Sequence, residues 1–296
     1  MKHICPNRKD GILISQEKYA RNLVKKFGLD SKKHASTPMS SSTKLSLDSS
    51  GVEVSPTLYW SIIGILLYLR TSRLDIVVSV GVCARYQAAL KESHLTAVKR
   101  IICYINGTPE YGLWHSKDSI DCLSGYPDAD WARSVDDWKS TSGEWFYLGK
   151  NLVSWMSKKQ NLISLSTAEA EYIAAGICCT QLLWMKKLLH DYGIPQETMS
   201  VICDNTSAIN LSKNPFQHSK SKHIEICYHF IRDLVEDKIM CLEFIHTNNQ
   251  KADIFTKPLD GPRFKLLCKT IDVSTIPWIS CVLCVLHIYL DLITFE

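Results

Sequence analysis

A chain of 296 residues with 46% apolar content has enough material to bury a substantial core, which excludes the disordered and low-complexity classes. Its formal charge of +4 is unevenly spread: residues 1 to 121 carry 17 Lys and Arg against 10 Asp and Glu, residues 122 to 270 carry 17 against 17, and the remainder carries three acids and no base. Twelve cysteines would suggest disulfides in a short secreted protein, but no basic stretch followed by a long apolar run is visible at the Met1 end, so a disulfide scaffold is not expected. Most of them, such as Cys83, Cys103, Cys178, Cys179 and Cys203, lie inside apolar runs and are expected to be reduced core residues of an intracellular protein, cytoplasmic or nuclear, with no signal peptide.

In chain order, a short strand is expected at Gly11 to Ser15 and a helix from about Gln16 to Phe27. A Ser/Thr/Asp-rich linker follows from about Ser36 to Ser55. Three apolar-rich helices come next, near Pro56 to Thr71, Leu74 to Leu90 and Glu92 to Asn106. After Gly107-Thr-Pro the pattern turns to short strands at Tyr111 to Ser116, Asp121 to Tyr126, Ser142 to Leu148 and Asn151 to Ser157. A helix, a strand near Thr198 to Cys203, another helix, a strand near Lys238 to His246 and a last helix complete the order. Strands first, then alternating helices and strands, describe an α/β three-layer domain with a mixed central sheet.

Four acids stand where these elements end or begin. Asp128 falls where the stretch Cys122-Leu-Ser-Gly-Tyr-Pro127 stops. Glu171 lies in the first turns of a helix whose start carries the capping-box spacing of Ser166 and Glu169. Asp204 closes Val201-Ile-Cys203 and opens Asn205-Thr-Ser-Ala-Ile209, a strand-to-helix junction of the kind where α/β proteins hold reactive groups. Asp253 follows the run Cys241-Leu-Glu-Phe-Ile245 and starts the last helix. Each alone has a plain role as a cap or a first-turn acid. Taken together they form the pattern of a carboxylate cage for a hard cation such as Mg²⁺, which takes oxygen ligands.

The blocks around these acids carry a resemblance. Gly125-Tyr-Pro-Asp-Ala-Asp-Trp-Ala132, Asp136-Asp-Trp-Lys-Ser-Thr-Ser-Gly143, Ser154-Trp-Met-Ser-Lys-Lys-Gln160, Leu165-Ser-Thr-Ala-Glu-Ala-Glu-Tyr-Ile173, Cys203-Asp-Asn-Thr-Ser-Ala-Ile209, His218-Ser-Lys-Ser-Lys-His-Ile224 with Tyr228-His-Phe-Ile-Arg232, and Ala252-Asp-Ile-Phe-Thr-Lys-Pro258 occur in one order. This series resembles the ribonuclease H domain that ends a copia-type retrotransposon Pol polyprotein. Upstream, Gly11-Ile-Leu-Ile-Ser-Gln16, Ser36-Thr-Pro-Met39, Leu67-Tyr-Leu-Arg-Thr71 and Tyr111-Gly-Leu-Trp114 resemble the segment that joins reverse transcriptase to that domain. The polymerase's Asp-Asp motif has no match, so the chain resembles a C-terminal remnant whose polymerase core would lie before Met1.

The resemblance implies a mainly helical reverse-transcriptase connection segment over residues 1 to 120, a ribonuclease H-like domain over 121 to 270, and a foreign apolar tail over 271 to 296. It implies hydrolysis of the RNA strand of an RNA:DNA hybrid with two Mg²⁺ ions, Mn²⁺ being a substitute. Asp128 would be the bridging ligand, with Glu171, Asp204 and Asp253 completing the cage and Asp130 beside it. His246 is a further catalytic candidate, placed where other ribonucleases H keep a mobile His. Asn205, Ser207, Gln160 and Ser166 are candidate contacts to 2′-hydroxyls across the minor groove. The implied partners are the hybrid and the polymerase core of the parent polyprotein, to which the basic front half offers phosphate-neutralising charge.

Three departures from the family pattern bear on this: Arg133 where Gly is usual, Trp138 where Arg is, and Leu74 where Pro is. Arg133 is expected either to pair with a carboxylate or to clash with substrate. His218, His223, Cys227 and His229, and the lone Cys281-Cys284 pair, have loose zinc spacings, but the resembling family carries no zinc there. Val273 to Leu290 lacks charged residues over a span's length, yet Pro277, His287 and the missing basic flank speak against a membrane helix. The competing expectation is a catalytically inert retrotransposon fragment, or a nucleic-acid-binding or interaction module.

Overall fold

In the computed structural model, which describes residues 7–8, 11–117, 122–213, 225–271 and 273–274, the alternating run Gly11–Ser15 forms strand β2, paired antiparallel with β1 (Asn7–Arg8) and with β3 (Gly112–Ser116). Helix α1 (Glu17–Lys26) follows, and no helix or strand interrupts residues 27 to 55 beyond an isolated bridge from Glu53 to Lys91. Helices α2 (Pro56–Leu69), α3 (Val77–Ala84) and α4 (Glu92–Asn106) then pack through Tyr59, Ile63, Leu66, Val80, Ile101 and Ile105, all fully buried. The helix expected over 74 to 90 is shorter. It opens as a 3₁₀ turn at Leu74–Ile76 and stops at Ala84, because Tyr86 turns inward to stack on His94 and to donate from its hydroxyl to Leu45 O.

Contacts divide the chain in two: Met1–Asp118 with Pro258–Glu296, and Ser119–Lys257. The expected second domain ran to residue 270. In the fold α9 (Gly261–Thr270) and β9 (Val273–Ser274) belong with the first unit, β9 pairing with β3 and Phe264 packing edge-on to Tyr104. That unit is anchored by a sealed polar network. Arg73, 1% exposed, grips Asp75 through two bonds of 2.7 and 3.0 Å and donates to Thr108 O, while Tyr104 donates to Asp75 at 2.6 Å.

The second unit holds a five-stranded sheet in the order β6 (Asn151–Lys159), β5 (Thr141–Leu148), β4 (Leu123–Asp130), β7 (Met199–Cys203), β8 (Met240–Phe244). The first three pair antiparallel, while β7 and β8 join parallel. Helix α5 (Thr167–Asp191) covers one face, its Tyr172, Cys178, Cys179 and Leu182 packed with Phe146, Val201 and Leu242. It approaches β4 so closely that a Cβ on Gly125 would lie 2.5 Å from Cys178 Sγ. The short α8 (Asp253–Thr256) lies on the opposite face, with Phe255 against Trp145. The sequence suggested one helix between β7 and β8; among the described residues there are two, α6 (Thr206–Lys213) and α7 (Glu225–Glu236). The single last helix expected from Asp253 is likewise divided. Pro258 drives Lys257 into extended backbone (φ −145°), which ends α8, and Asp260 then caps α9 by accepting from Arg263 N.

Among the described residues no helix is long and apolar enough to cross a membrane. The tail beyond 274, the Cys281-Cys284 pair, His218, His223 and the side chain of Cys227 lie outside the described residues.

Candidate metal centre

Strand β4 carries Asp128 further than its sequence suggested. The strand expected to end at Tyr126 runs on to Asp130, so Asp128 lies inside it. Pro127 is tolerated because β7 pairs only with Ser124 and Gly125, leaving the proline no ladder bond to donate on that side. Its carbonyl instead accepts from Gln250 Nε2 at 3.0 Å, which ties the chain ahead of α8 to β4.

Directly across the ladder from Asp128 is Gly143. A Cβ there would fall 2.6 Å from Thr256 Cγ2 and 2.8 Å from Phe255 Cβ, so the glycine is what lets α8 settle on the sheet. Docked in that way, α8 brings Asp253 to the centre, and Thr256 Oγ1 donates a 2.5 Å hydrogen bond to Asp128 Oδ2. Lys257 Nζ pairs with Asp253.

Glu171 arrives from α5. The cap works as expected on one side, Ser166 Oγ accepting from Glu169 N at 3.2 Å. Glu169 returns its own carboxylate to Leu165 N at 2.6 Å. Glu171 is 7% exposed; its Oε1 accepts from Ala129 N at 3.2 Å, and its Oε2 has no hydrogen-bond partner among the described residues. Asp204 stands at the junction of β7 and α6, as expected, with Asn205 Oδ1 accepting from Ala208 N to start the helix. Ligand atoms of Glu171, Cys203 and Asp204 lie within 4.8 Å of one another.

The electrostatics match a crowd of acids. Burial, with Asp253 and Asp204 nearby, raises the pKa of Asp128 to about 6 against the pull of Lys257 and the Thr256 bond. Burial raises Glu171 well above the carboxylate range, Asp128 and Asp204 adding to it. Burial works against the charge on Lys257, but Asp128 and Asp253 outweigh it and hold that lysine strongly protonated. The arrangement offers a concentrated negative site with one carboxylate oxygen uncommitted, the chemistry of a hard-cation site.

Homology decides the lineage. Over 268 residues the chain is 39% identical to the "Retrovirus-related Pol polyprotein from transposon RE1" of Arabidopsis thaliana, covering 90% of this chain and 18% of that one. The corresponding polyprotein of transposon TNT 1-94 from Nicotiana tabacum is 36% identical over 280 residues, 92% of this chain and 21% of that one. The chain belongs to the copia-type retrotransposon Pol polyproteins. It spans about a fifth of the length of these Pol relatives, and no family model matches it. Its second unit is a mixed α/β domain, with α5 and α8 on opposite faces of the five-stranded sheet. Among solved structures, LC11-RNase H1 in complex with RNA/DNA hybrid is similar at 14% identity and a TM-score of 0.36, over 45% of this chain and 93% of that one.

The remaining expected site residues of this Pol chain are placed differently. His246 is exposed, and its Nδ1 accepts from Asn248 N to cap a 3₁₀ turn at Thr247–Asn249; among the described contacts it has none with the four acids. Gln160, expected against substrate, is instead buried at 5%. Its amide donates to Ser142 Oγ and Ala170 O, and its oxygen accepts from Ser164, so it braces β5 against the start of α5. Ser166 is committed to its cap, and Ser207 is exposed on the first turn of α6. Arg133 pairs with Asp130 at 3.5 Å, keeping the spare acid occupied. Sequence reasoning missed Thr256, Lys257 and Gln250. Their signal was present in the block Gln250-Lys-Ala-Asp-Ile-Phe-Thr-Lys257, where residues one helical turn apart share a face with Asp253.

Proposed function

We propose that the second unit is a metal-dependent ribonuclease H that cleaves the RNA strand of RNA:DNA hybrids, in the service of retrotransposon reverse transcription. The observation that carries this is the meeting of four acids from four separate elements, with Glu171 Oε2 left without a partner. Asp128, Glu171, Asp204 and Asp253 would hold two Mg²⁺ ions, or Mn²⁺ in their place. Such ions, when bound, supply an activated water and charge stabilisation at the scissile phosphate.

The chain's own residues do the rest. Thr256 orients Asp128 through its hydroxyl, and Gln250 fixes α8 at the height of the strand. Lys257, strongly protonated, offsets the repulsion among the acids while no cation does so. Ser207 and Asn205, at the junction beside Asp204, are the proposed 2′-hydroxyl contacts, and the basic first unit is the proposed surface for the duplex and for the polymerase core of the longer polyprotein.

The test is cleavage of a labelled RNA:DNA hybrid in Mg²⁺, with Asp128→Asn and a plain RNA duplex beside it. Hybrid-selective cleavage should fall by roughly 10²-fold or more in the variant, as when a transition-state charge stabiliser is lost. A folded chain that binds hybrid and leaves it intact would favour the inert, nucleic-acid-binding alternative.

A further inference from the structure

Cys203 ends β7 fully buried, and its sulfur is set among the acids, within 4.8 Å of ligand atoms of both Glu171 and Asp204. The turn into α6 fixes it there: Asn205 N donates to Cys203 Sγ at 3.4 Å, and the thiol faces Asn205 O at 3.9 Å. Glu171, a member of the same group, has an Oε2 without a hydrogen-bond partner among the described residues. Mg²⁺ takes oxygen ligands and has no use for this sulfur. One sulfur with two carboxylates is instead a donor set for a borderline-soft cation, since Zn²⁺ binds thiolate and carboxylate at about 2.3 and 2.0 Å in a tetrahedron. Donors on one such ion sit about 3.5 Å apart, so the trio need contract by only about an ångström to close on it.

We propose that Glu171, Cys203 and Asp204 form a thiophilic-cation site that takes Zn²⁺ or Cd²⁺ in competition with Mg²⁺, so that soft cations hold the nuclease off. The thiol proton leaves to water as the metal–sulfur bond forms. The competition rests on the metal-site reading given above, whereas the sulfur ligation does not depend on it.

The test is a Cd²⁺ titration of the full chain, stripped of metals, followed by the ultraviolet charge-transfer absorption of the cadmium–thiolate bond, a readout that needs no hybrid cleavage. The parent should show one equivalent of absorption that Cys203→Ser removes and Cys179→Ser, a buried neighbour outside the trio, keeps. Asp204→Asn, which retains the thiol, should weaken Cd²⁺ binding by about tenfold or more, and excess Mg²⁺ should move the parent curve to higher Cd²⁺. Equal absorption in Cys203→Ser and the parent, both folded by circular dichroism, overturns the site. Absorption that depends on Cys203 but ignores Mg²⁺ overturns the competition. Failure of hybrid cleavage alone touches the nuclease reading and leaves the sulfur site standing.

Discussion

Glu144 and Glu171 are both carboxyls sealed from water, and each has oxygen that accepts no hydrogen bond among the described residues. Their surroundings separate them. Glu171 faces other acids at a junction of strand and helix ends, where a cation would satisfy it, while Glu144 stands in mid-strand on the face under α5, beside the thiols of Cys178 and Cys179. Burial raises the pKa of Glu144 well above its ordinary value, with Lys158 opposing only in part, which favours the neutral form, and neither oxygen has a hydrogen-bond partner among the described residues. An unpartnered buried polar group costs about 1–3 kcal/mol. Glu144→Met, close in volume and without oxygen, should therefore stabilise the second unit by about that amount in denaturant unfolding, with m unchanged. A loss of stability would mean that Glu144 has a partner that its burial conceals.

At the scale of elements, the site depends on one contact between a strand and a four-residue helix. Gly143→Ala places a methyl group within 3 Å of the Phe255 and Thr256 side chains, atoms too near the α8 backbone to swing aside. Overpacking of this kind costs about 1–3 kcal/mol. The expected result is a lowered melting temperature together with loss of the Mg²⁺-induced rise in it, because the displaced α8 carries Asp253 and Thr256 away from Asp128. Unchanged metal response in the variant would show that α8 docks by other contacts. None of this is visible in sequence, since the meeting of Gly143 with Thr256 joins residues far apart in the chain. What was legible was local. The Ser166 cap, the junction at Asp204 and the hairpin of β5 and β6 follow from spacing and alternation, and the ordered motif blocks supplied the family. The end of β4 was placed too early, at Tyr126, because the pairing with β5 that carries the strand on to Asp130 joins residues distant in sequence. Gln160 was expected against substrate because its block marks a position near the site, which does not say that its side chain is buried and bonded to Ser142, Ala170 and Ser164.

Over the whole molecule, the two units should answer acid in opposite directions. His115, 9% exposed on β3, has its pKa lowered by burial to about 4, below the ordinary value of 6.5. Its unfolded form takes up the proton first, so the first unit loses stability as pH falls from about 6.5 toward 4, by about 3 kcal/mol at most. Carboxyls raised on folding behave in reverse. Asp128, at about 6, protonates in the folded state before the unfolded one does, and Glu144 and Glu171 are raised as well, so without metal the second unit gains stability over the same fall. Amide exchange in EDTA, corrected for intrinsic rates and followed on peptides from β3 and from α5, separates the two effects. Between about pH 7 and about pH 5, protection should fall in the first peptide and rise in the second. His115→Gln should flatten only the first trend, and Glu144→Met should blunt only the second. Parallel loss in both units, unaltered by His115→Gln, would mean that neither burial governs the acid response. Saturating Mg²⁺ should remove the share of that gain that belongs to Asp128 and Glu171, because a cation held by them favours their charged forms and reverses the advantage of the proton, and should leave the share of Glu144.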